Sequence, residues 1–218
     1  MTKNDLEVQM VINEKFIELG HPNRPGIKLK RVIARIWHGT ANFNLSATDE
    51  MHEKYMGRKF KKIWNSKTNR YDIFEVNGKP FVFGGAHVYI DKDSATITAP
   101  LDEVVWGCGD RQMPYQIHTP NIEGYKGQRK LAYTLFNNMN NSYTWNIELC
   151  MNDMNNWDKV LDNAIEFVKI YMPGLDKYDL RHYDLTNKIC PSPFVNLKIK
   201  EVDPRWVEFR NRLRSALS

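Results

Sequence analysis

Short apolar runs alternate with stretches of helical periodicity along this chain, and that alternation constrains the fold most strongly. Residues 157–171 place their apolar side chains on one helical face, and residues 172–174 (MPG) end the pattern. Residues 32–37 (VIARIW) form a short, β-branched apolar run of the kind found in buried strands. Strands interleaved with helices predict an α/β fold, in which a central mixed β-sheet is flanked by α-helices. We expect residues 1–218 to form a single domain, because no linker or repeat divides them.

The remaining segments complete this prediction. Further helices are expected at three places: residues 4–19, 47–64 and 204–217. Ser46 followed by Asp49 fits the capping pattern that would open the second of them. Further extended segments are expected at six places: residues 71–76, 81–83, 86–91, 104–106, 144–151 and 180–182. Residues 107–128 hold glycine, proline and charge without a clear period, which indicates a long loop.

Charge and cysteine content narrow the class of protein. The formal net charge of +5 comes from 31 basic and 26 acidic residues, so it indicates either an anionic partner or ordinary scatter. Three cysteines at wide spacing form no disulfide framework. No apolar run approaches the length of a membrane helix, and residues 1–16 lack the apolar core of a signal peptide. We therefore expect synthesis in the cytoplasm and no membrane partner.

Three of the six histidines, His38, His87 and His182, sit at or near predicted strands, and two of them with a cysteine could share a metal. His38 follows the strand at 32–37 and precedes a glycine, so its side chain should point into a cleft. His182 and Cys190 are eight residues apart on a polar loop and could reach one ion. A catalytic zinc needs three protein ligands and an open fourth position, which two histidines and a cysteine supply. The alternative for each histidine, taken alone, is a structural residue in the core or at its rim whose hydrogen bonds are satisfied by the protein.

Two charged residues could act beside such an ion. Glu148 sits within the strand predicted at 144–151, where a carboxylate is costly unless it is exposed or used. It is a candidate general base, and a solvent-facing strand position is the alternative. Lys188 lies two residues before Cys190 and could stabilise an oxyanion at the same centre.

Four segments resemble motifs of one enzyme family in their order and spacing. Residues 36–42 read IWHGTAN, like the family's strand-end H-x-T-A-N, and residues 85–91 read GAHVYID, like its S-A-H-Y-x-V-D. Residues 104–109 read VVWGCG, like V-A-W-H-C-G. Residues 146–150 (NIELC) with 181–191 (RHYDLTNKICP) are similar to G-I-E-x-C and R-H-x-D-V-T-G-K-x-C-P, and the last segment is the most specific.

The family is that of the zinc-dependent N-acetylmuramoyl-L-alanine amidases, which includes phage endolysins and is related to peptidoglycan recognition proteins. The resemblance covers residues 30–195, with helical N- and C-terminal extensions outside it. It implies zinc (Zn2+) in a surface groove, bound by His38, His182 and Cys190. It further implies Glu148 as the base for the metal water and Lys188 as an electrostatic stabiliser.

The resemblance also implies a substrate and a place of action. The reaction would hydrolyse the amide between the lactyl group of N-acetylmuramic acid and the L-alanine of the stem peptide in bacterial peptidoglycan. Three residues are further candidates for lining the substrate groove, with core packing as the alternative: His87, Tyr89 and Trp106. We expect the protein to be made in a bacterial host cytoplasm and to act on the wall after release, with no obligate protein partner.

Three positions depart from the family pattern. Gly107 stands where the family often has histidine, and Asn146 stands where it has glycine. Ala86 occupies the position of a catalytic tyrosine in some phage members, so no tyrosine role carries over and more weight falls on Glu148.

Three alternatives to an endolysin stay open at this point. A non-catalytic peptidoglycan-binding module would typically lack the ligand cysteine. A bacterial autolysin would share the chemistry but usually carries an export signal. A nucleic-acid-binding protein would need clustered cations with interleaved aromatics, for which residues 58–67 are the one local candidate, and we expect no nucleic-acid partner.

Overall fold

A mixed six-stranded sheet forms the centre of the molecule. The computed structural model describes residues 10–108, 140–186, 188–199 and 202–218. Its strands are β1 (Val11–Glu14), β2 (Ala34–Gly39), β5 (Val88–Ile90), β6 (Ser94–Ile97), β7 (Thr144–Leu149) and β8 (Tyr178–Arg181). The sheet has the order β1-β6-β5-β7-β2-β8, and its pairings are parallel except that of β5 with β6. The predicted mixed sheet is confirmed.

Helices and a separate hairpin surround this sheet. The helices are α1 (Asp49–Met56), α2 (Trp157–Tyr171), α3 (His182–Thr186) and α4 (Pro204–Leu217). Strands β3 (Phe60–Asn65) and β4 (Arg70–Glu75) pair with each other as a two-stranded antiparallel sheet. Short 3-10 turns lie at Asn140–Ser142, Met154–Asn156 and Ser192–Phe194. None of the helices in the described parts of the chain has the length and hydropathy of a membrane span.

The main core lies between the sheet and the helices α2 and α4. The buried face of α2 is the apolar stripe predicted from the sequence. Trp37 of β2 meets Phe209 of α4 edge to face, with ring centroids 4.8 Å apart. Burying aromatic rings of this size contributes strongly to stability, so this packing fixes β2 against the helical layer. The predicted helices at 157–171 and 204–217 are confirmed.

A buried ion pair joins the two neighbouring strands β2 and β8. Arg35 donates from Nε to Oδ1 of Asp179 at 2.8 Å and from its terminal nitrogen to Oδ2 at 3.0 Å. Trp37 also donates from Nε1 to Asp179 at 3.1 Å. Since a bidentate buried pair is specific in geometry, it sets the register in which the carboxyl ends of β2 and β8 meet.

The N-terminal helix predicted over 4–19 is wrong in its described part. Residues 11–14 form strand β1, which pairs in parallel with β6, and residues 15 and 17 continue the bonding to Ile97 and Thr98. The apolar spacing that suggested a helix instead lets Ile12 pack against the core. Pairing with a distant strand here overrides local periodicity. Residues 1–9 lie outside the described part of the chain.

The second predicted helix, 47–64, is too long. Its N-cap is Thr48, whose Oγ1 accepts from the Met51 amide at 3.4 Å, so the Ser46 cap is also wrong. The helix ends at Met56 with Gly57 as its C-cap. Residues 60–65 become β3 because they pair with β4, a partner that local periodicity does not reveal.

Some of the predicted strands are present in the structure and others are not. Strands near 32–37, 71–76, 86–91, 144–151 and 180–182 are confirmed with shifted ends. Residues 81–83 and 104–106 are not strands, and Phe81 makes a single backbone bond to Ile73. Strand β6 was not predicted. The loop expected at 107–128 lies outside the described residues after Cys108.

Candidate metal centre

Two parallel strands bring His38 and His182 together. His38 is the second-last residue of β2, and His182 follows directly on β8, the neighbouring strand. The carboxyl ends of adjacent parallel strands lie at one edge of the sheet, so side chains at these positions meet. Cys190 reaches the same edge because the Tyr183 amide donates to the Cys190 carbonyl at 2.9 Å.

The three side chains converge closely enough to hold one ion. Nδ1 of His38 lies 3.1 Å from Nδ1 of His182 and 3.9 Å from Sγ of Cys190. All three ligand atoms lie within 4.8 Å of one another, and the three residues are buried. Tetrahedral zinc with its usual bond lengths separates two nitrogens by about 3.3 Å and nitrogen from sulfur by about 3.6 Å. The donor set and its spacing therefore fit zinc.

Asn146 fixes the orientation of the His38 ring. Nε2 of His38 donates to Oδ1 of Asn146 at 3.0 Å. Nδ2 of the same Asn146 side chain donates to Thr144 Oγ1 at 3.4 Å. A proton on Nε2 leaves the lone pair on Nδ1, the atom that faces His182 and Cys190. A hydrogen bond at the ring nitrogen that does not face the metal fixes the tautomer and the orientation of a metal-binding histidine.

Gly107 provides the space for that amide. A Cβ at Gly107 would lie 2.4 Å from Asn146 Oδ1 and 2.5 Å from its Cγ, closer than atoms can approach. A side chain at residue 107 would therefore displace the group that orients His38. Two of the departures from the family pattern, Gly107 and Asn146, are thus neighbours in space.

Burial sets the protonation of the three candidate ligands. It lowers the pKa of His38 well below its usual range and that of His182 to about 4, and the charge of Lys188 acts in the same direction. Both imidazoles are therefore neutral at pH 7, the form that binds metals. Burial raises the pKa of the Cys190 thiol to about 12, so a thiolate here depends on a nearby cation.

Glu148 lies beside this cluster on β7. It is opposite His38 in the β2–β7 register. Although part of the side chain is exposed, its Oε2 is buried and has no hydrogen-bond partner among the described residues. Burial raises the pKa of Glu148 to about 8, against the opposing charge of Lys188. A carboxyl group with such a pKa can take up and release a proton near neutral pH.

The three candidates for lining a groove lie in different surroundings. His87 is fully buried. Its Nε2 lies 2.8 Å from the Glu103 carbonyl oxygen, and its Nδ1 accepts from the backbone N–H of Asn146 at 2.9 Å. Tyr89 is also buried and stacks on His52. This placement favours the packing alternative for both. Trp106 is partly exposed and donates from Nε1 to the Pro22 carbonyl at 2.9 Å.

The sequence analysis did not predict that Asn146 contributes to the site. The spacing of the strand could have indicated it, because Asn146 lies two residues before Glu148 and therefore shares its face of the strand.

Comparison with known proteins gives sequence relatives and structural neighbours. No protein-family model matches the chain. The chain is 28% identical over 213 residues to the N-acetylmuramoyl-L-alanine amidase BlyA of Bacillus subtilis, covering 95% of this chain and 48% of that protein. Two further relatives, from Bacillus licheniformis, are also named as such amidases, one of them as a probable one. The resemblance to the N-acetylmuramoyl-L-alanine amidases is confirmed. The chain spans about half the length of the curated amidases that it matches.

Solved structures support the same relationship at the level of the fold. A mutant endolysin from Bacillus subtilis gives a TM-score of 0.57 at 20% identity, over 96% of this chain and 99% of that one. The catalytic domain of XlyA gives 0.56 at 19% identity, over 95% and 99%. The chain therefore shares its fold with these two structures.

Proposed function

We propose that this chain is a zinc-dependent N-acetylmuramoyl-L-alanine amidase. It hydrolyses the amide bond between N-acetylmuramic acid and the first L-alanine of the stem peptide in bacterial peptidoglycan. The observation that carries the proposal is the convergence of His38, His182 and Cys190, with Glu148 beside them, in a chain whose curated relatives are named as these amidases.

Zinc suits this donor set better than the hard cations do. Two neutral imidazoles and a thiolate are ligands that zinc accepts, whereas magnesium and calcium prefer oxygen. When bound with three protein ligands, zinc polarises a carbonyl and lowers the pKa of a water toward ~7.

The chain's own groups then handle protons and charge. Oε2 of Glu148, which has no partner among the described residues, accepts the proton of the attacking water. The same carboxyl returns that proton to the leaving amine of L-alanine, which its raised pKa allows. Lys188 provides a positive charge toward the oxyanion that develops on the lactyl carbonyl. Asn146 holds the His38 ring in place throughout.

The setting that we propose is that of an endolysin from a bacteriophage. The protein would lyse the host cell by degrading its wall after release. The Cys190 thiol beside both histidines favours this hydrolase over a non-catalytic binding module.

A Cys190→Ser variant tests the metal centre. We expect the purified wild type to bind about one zinc per chain, since the site has one set of three ligands, and the variant to lose both zinc and wall-clearing activity. Cys150→Ala is the matched control, because that thiol lies in a separate core cluster with Ala86 and Tyr89. Wall clearing by Cys190→Ser at the wild-type rate would exclude the proposed zinc site.

A further inference from the structure

One hairpin of the chain carries a local excess of positive charge. We call residues 58–79, which include β3, β4 and their flanks, the basic hairpin. It holds seven of the 31 Lys and Arg residues but two of the 26 Asp and Glu residues. Its excess of five positive charges equals the formal net charge of the whole chain, +5. The charge is therefore not scattered evenly along the sequence. The seven cations are Arg58, Lys59, Lys61, Lys62, Lys67, Arg70 and Lys79.

The acidic residues of the basic hairpin leave most of this charge uncompensated. Glu75 accepts from Arg58 Nε at 2.8 Å, and Asp72 accepts from Asn65 at 2.7 Å. Six of the seven cations make no ion pair with any residue in the described parts of the chain: Lys59, Lys61, Lys62, Lys67, Arg70 and Lys79. All six are solvent-exposed, so their charge is available to a partner.

An aromatic pair lies among these cations. Trp64 and Tyr71 are directly opposite across the two strands, with ring centroids 5.1 Å apart. They are 51% and 60% exposed, although burial would be favourable for such large rings. Lys62 stands two residues before Trp64 and so shares its face of the hairpin.

The base of the hairpin is anchored, so these side chains are held outward. Phe60 contacts the rings of His21 and Phe81, with centroids 5.1 Å and 6.0 Å away. The Arg58–Glu75 ion pair closes the same end. The exposed aromatic and basic side chains therefore occupy a projecting surface of defined shape.

We propose that the basic hairpin is a docking surface for a phosphate-bearing glycan polymer of the bacterial wall. Lys and Arg pair with the phosphates, and binding a polyanion releases its counterions, which favours association at low salt. Trp64 and Tyr71 pack against the apolar faces of sugar rings, which a polymer of sugars and phosphates offers beside its charges. The choice of a wall polymer over a nucleic acid rests on the proposed function, because the amidase site operates on the wall.

A pelleting assay with purified wall sacculi tests this docking surface. Lys61→Glu/Lys62→Glu is compared with Lys159→Glu/Lys198→Glu, which changes the net charge equally at exposed positions outside the hairpin. We expect at least tenfold weaker binding for the hairpin variant at low salt and less than twofold for the control. Trp64→Ala/Tyr71→Ala should also weaken binding while leaving its salt dependence unchanged.

Removal of the phosphate polymer from the sacculi identifies the ligand. Wild-type binding to stripped sacculi should fall to the level of the hairpin variant. The proposal is overturned if both charge variants bind alike, if stripped and intact sacculi bind alike, or if duplex DNA competes more strongly than the isolated polymer.

Hydrolysis of a small soluble muramoyl peptide separates this proposal from the proposed function. The hairpin variants should hydrolyse it at the wild-type rate, with unchanged thermal unfolding, because the substituted side chains are exposed and none belongs to the candidate metal centre. If the wild type fails to hydrolyse it but still binds sacculi through the hairpin, the amidase function fails and the docking surface stands.

Discussion

At the scale of single residues, the site depends on which nitrogen of each histidine presents its lone pair. The chemical roles of Glu148 and Lys188 stay predictions. The sequence allowed prediction of the convergence of His38, His182 and Cys190, because the motif order and the ends of strands indicated it. It did not allow prediction of the role of Asn146. That role depends on the space left by Gly107, and only the packing of the two segments reveals it.

Asn146→Ala should weaken zinc binding about 10- to 100-fold, as the loss of a group that orients a metal ligand does. The His38 ring would lose its partner at Nε2 and could turn its lone pair away. Competition with a chromophoric chelator measures the affinity. Asn155→Ala, at an exposed position in a 3-10 turn, is the control and should bind zinc as the wild type does. Equal affinity for both variants would remove Asn146 from the site.

Glu148→Gln should keep its zinc and lose turnover by about 10²- to 10⁴-fold, the usual contribution of a general base. Glutamine matches the size of glutamate but cannot accept the proton of the attacking water. Zinc content and the rate on a soluble muramoyl peptide are measured together. Full activity with full zinc content would exclude Glu148 as the base.

At the scale of elements, local patterns predicted the helices well where an apolar stripe faces the core, as in α2 and α4. They failed where a strand pairs with a distant partner. Residues 11–14 have spacing compatible with a helix, yet bonding to β6 makes them a strand. Residues 60–65 continue a helical pattern, yet pairing with β4 ends α1 at Met56.

Asp49 connects α1 to β6 and should make stability depend on pH. Its carboxylate accepts from Ser94 Oγ at 3.1 Å and from Thr96 Oγ1 at 2.7 Å. Burial raises the pKa of Asp49 from 3.8 to about 6, the bond to Thr96 opposes this, and the charge of Asp91 adds to it. Between these values the folded state keeps a proton that the unfolded state has lost, so this group's contribution to stability falls as pH rises.

Urea unfolding of the wild type and Asp49→Asn from pH 4 to 7 measures this contribution. Asparagine does not titrate, so the wild type should lose stability relative to the variant, by on the order of 1–3 kcal/mol, across this range. The difference should level off above the folded pKa. A difference that stays constant or rises with pH would contradict the assigned shift.

At the scale of the whole molecule, the metal centre joins parts of the chain that are far apart in sequence. His38 belongs to β2, His182 begins α3, and Cys190 lies on the following segment. An ion held by all three binds the folded state and not the unfolded chain, so it should stabilise the fold by mass action.

Removal of zinc should therefore lower the melting temperature, by about 8–16 °C if free zinc stands at about 1,000 times its Kd. Added zinc should restore it. Cys190→Ser should melt at the same temperature with and without chelator, because it has lost the site. A wild-type melting temperature that does not respond to chelator would show that no ion supports the fold.

Mass spectrometry of peptidoglycan digested by the wild type tests the central claim most directly, because it identifies the bond that is cleaved. The account predicts stem peptides that begin with a free L-alanine amine and glycan strands whose lactyl groups carry a free carboxylate. It also predicts no such products from Cys190→Ser. Cleavage within the glycan or between two amino acids of the stem would contradict it.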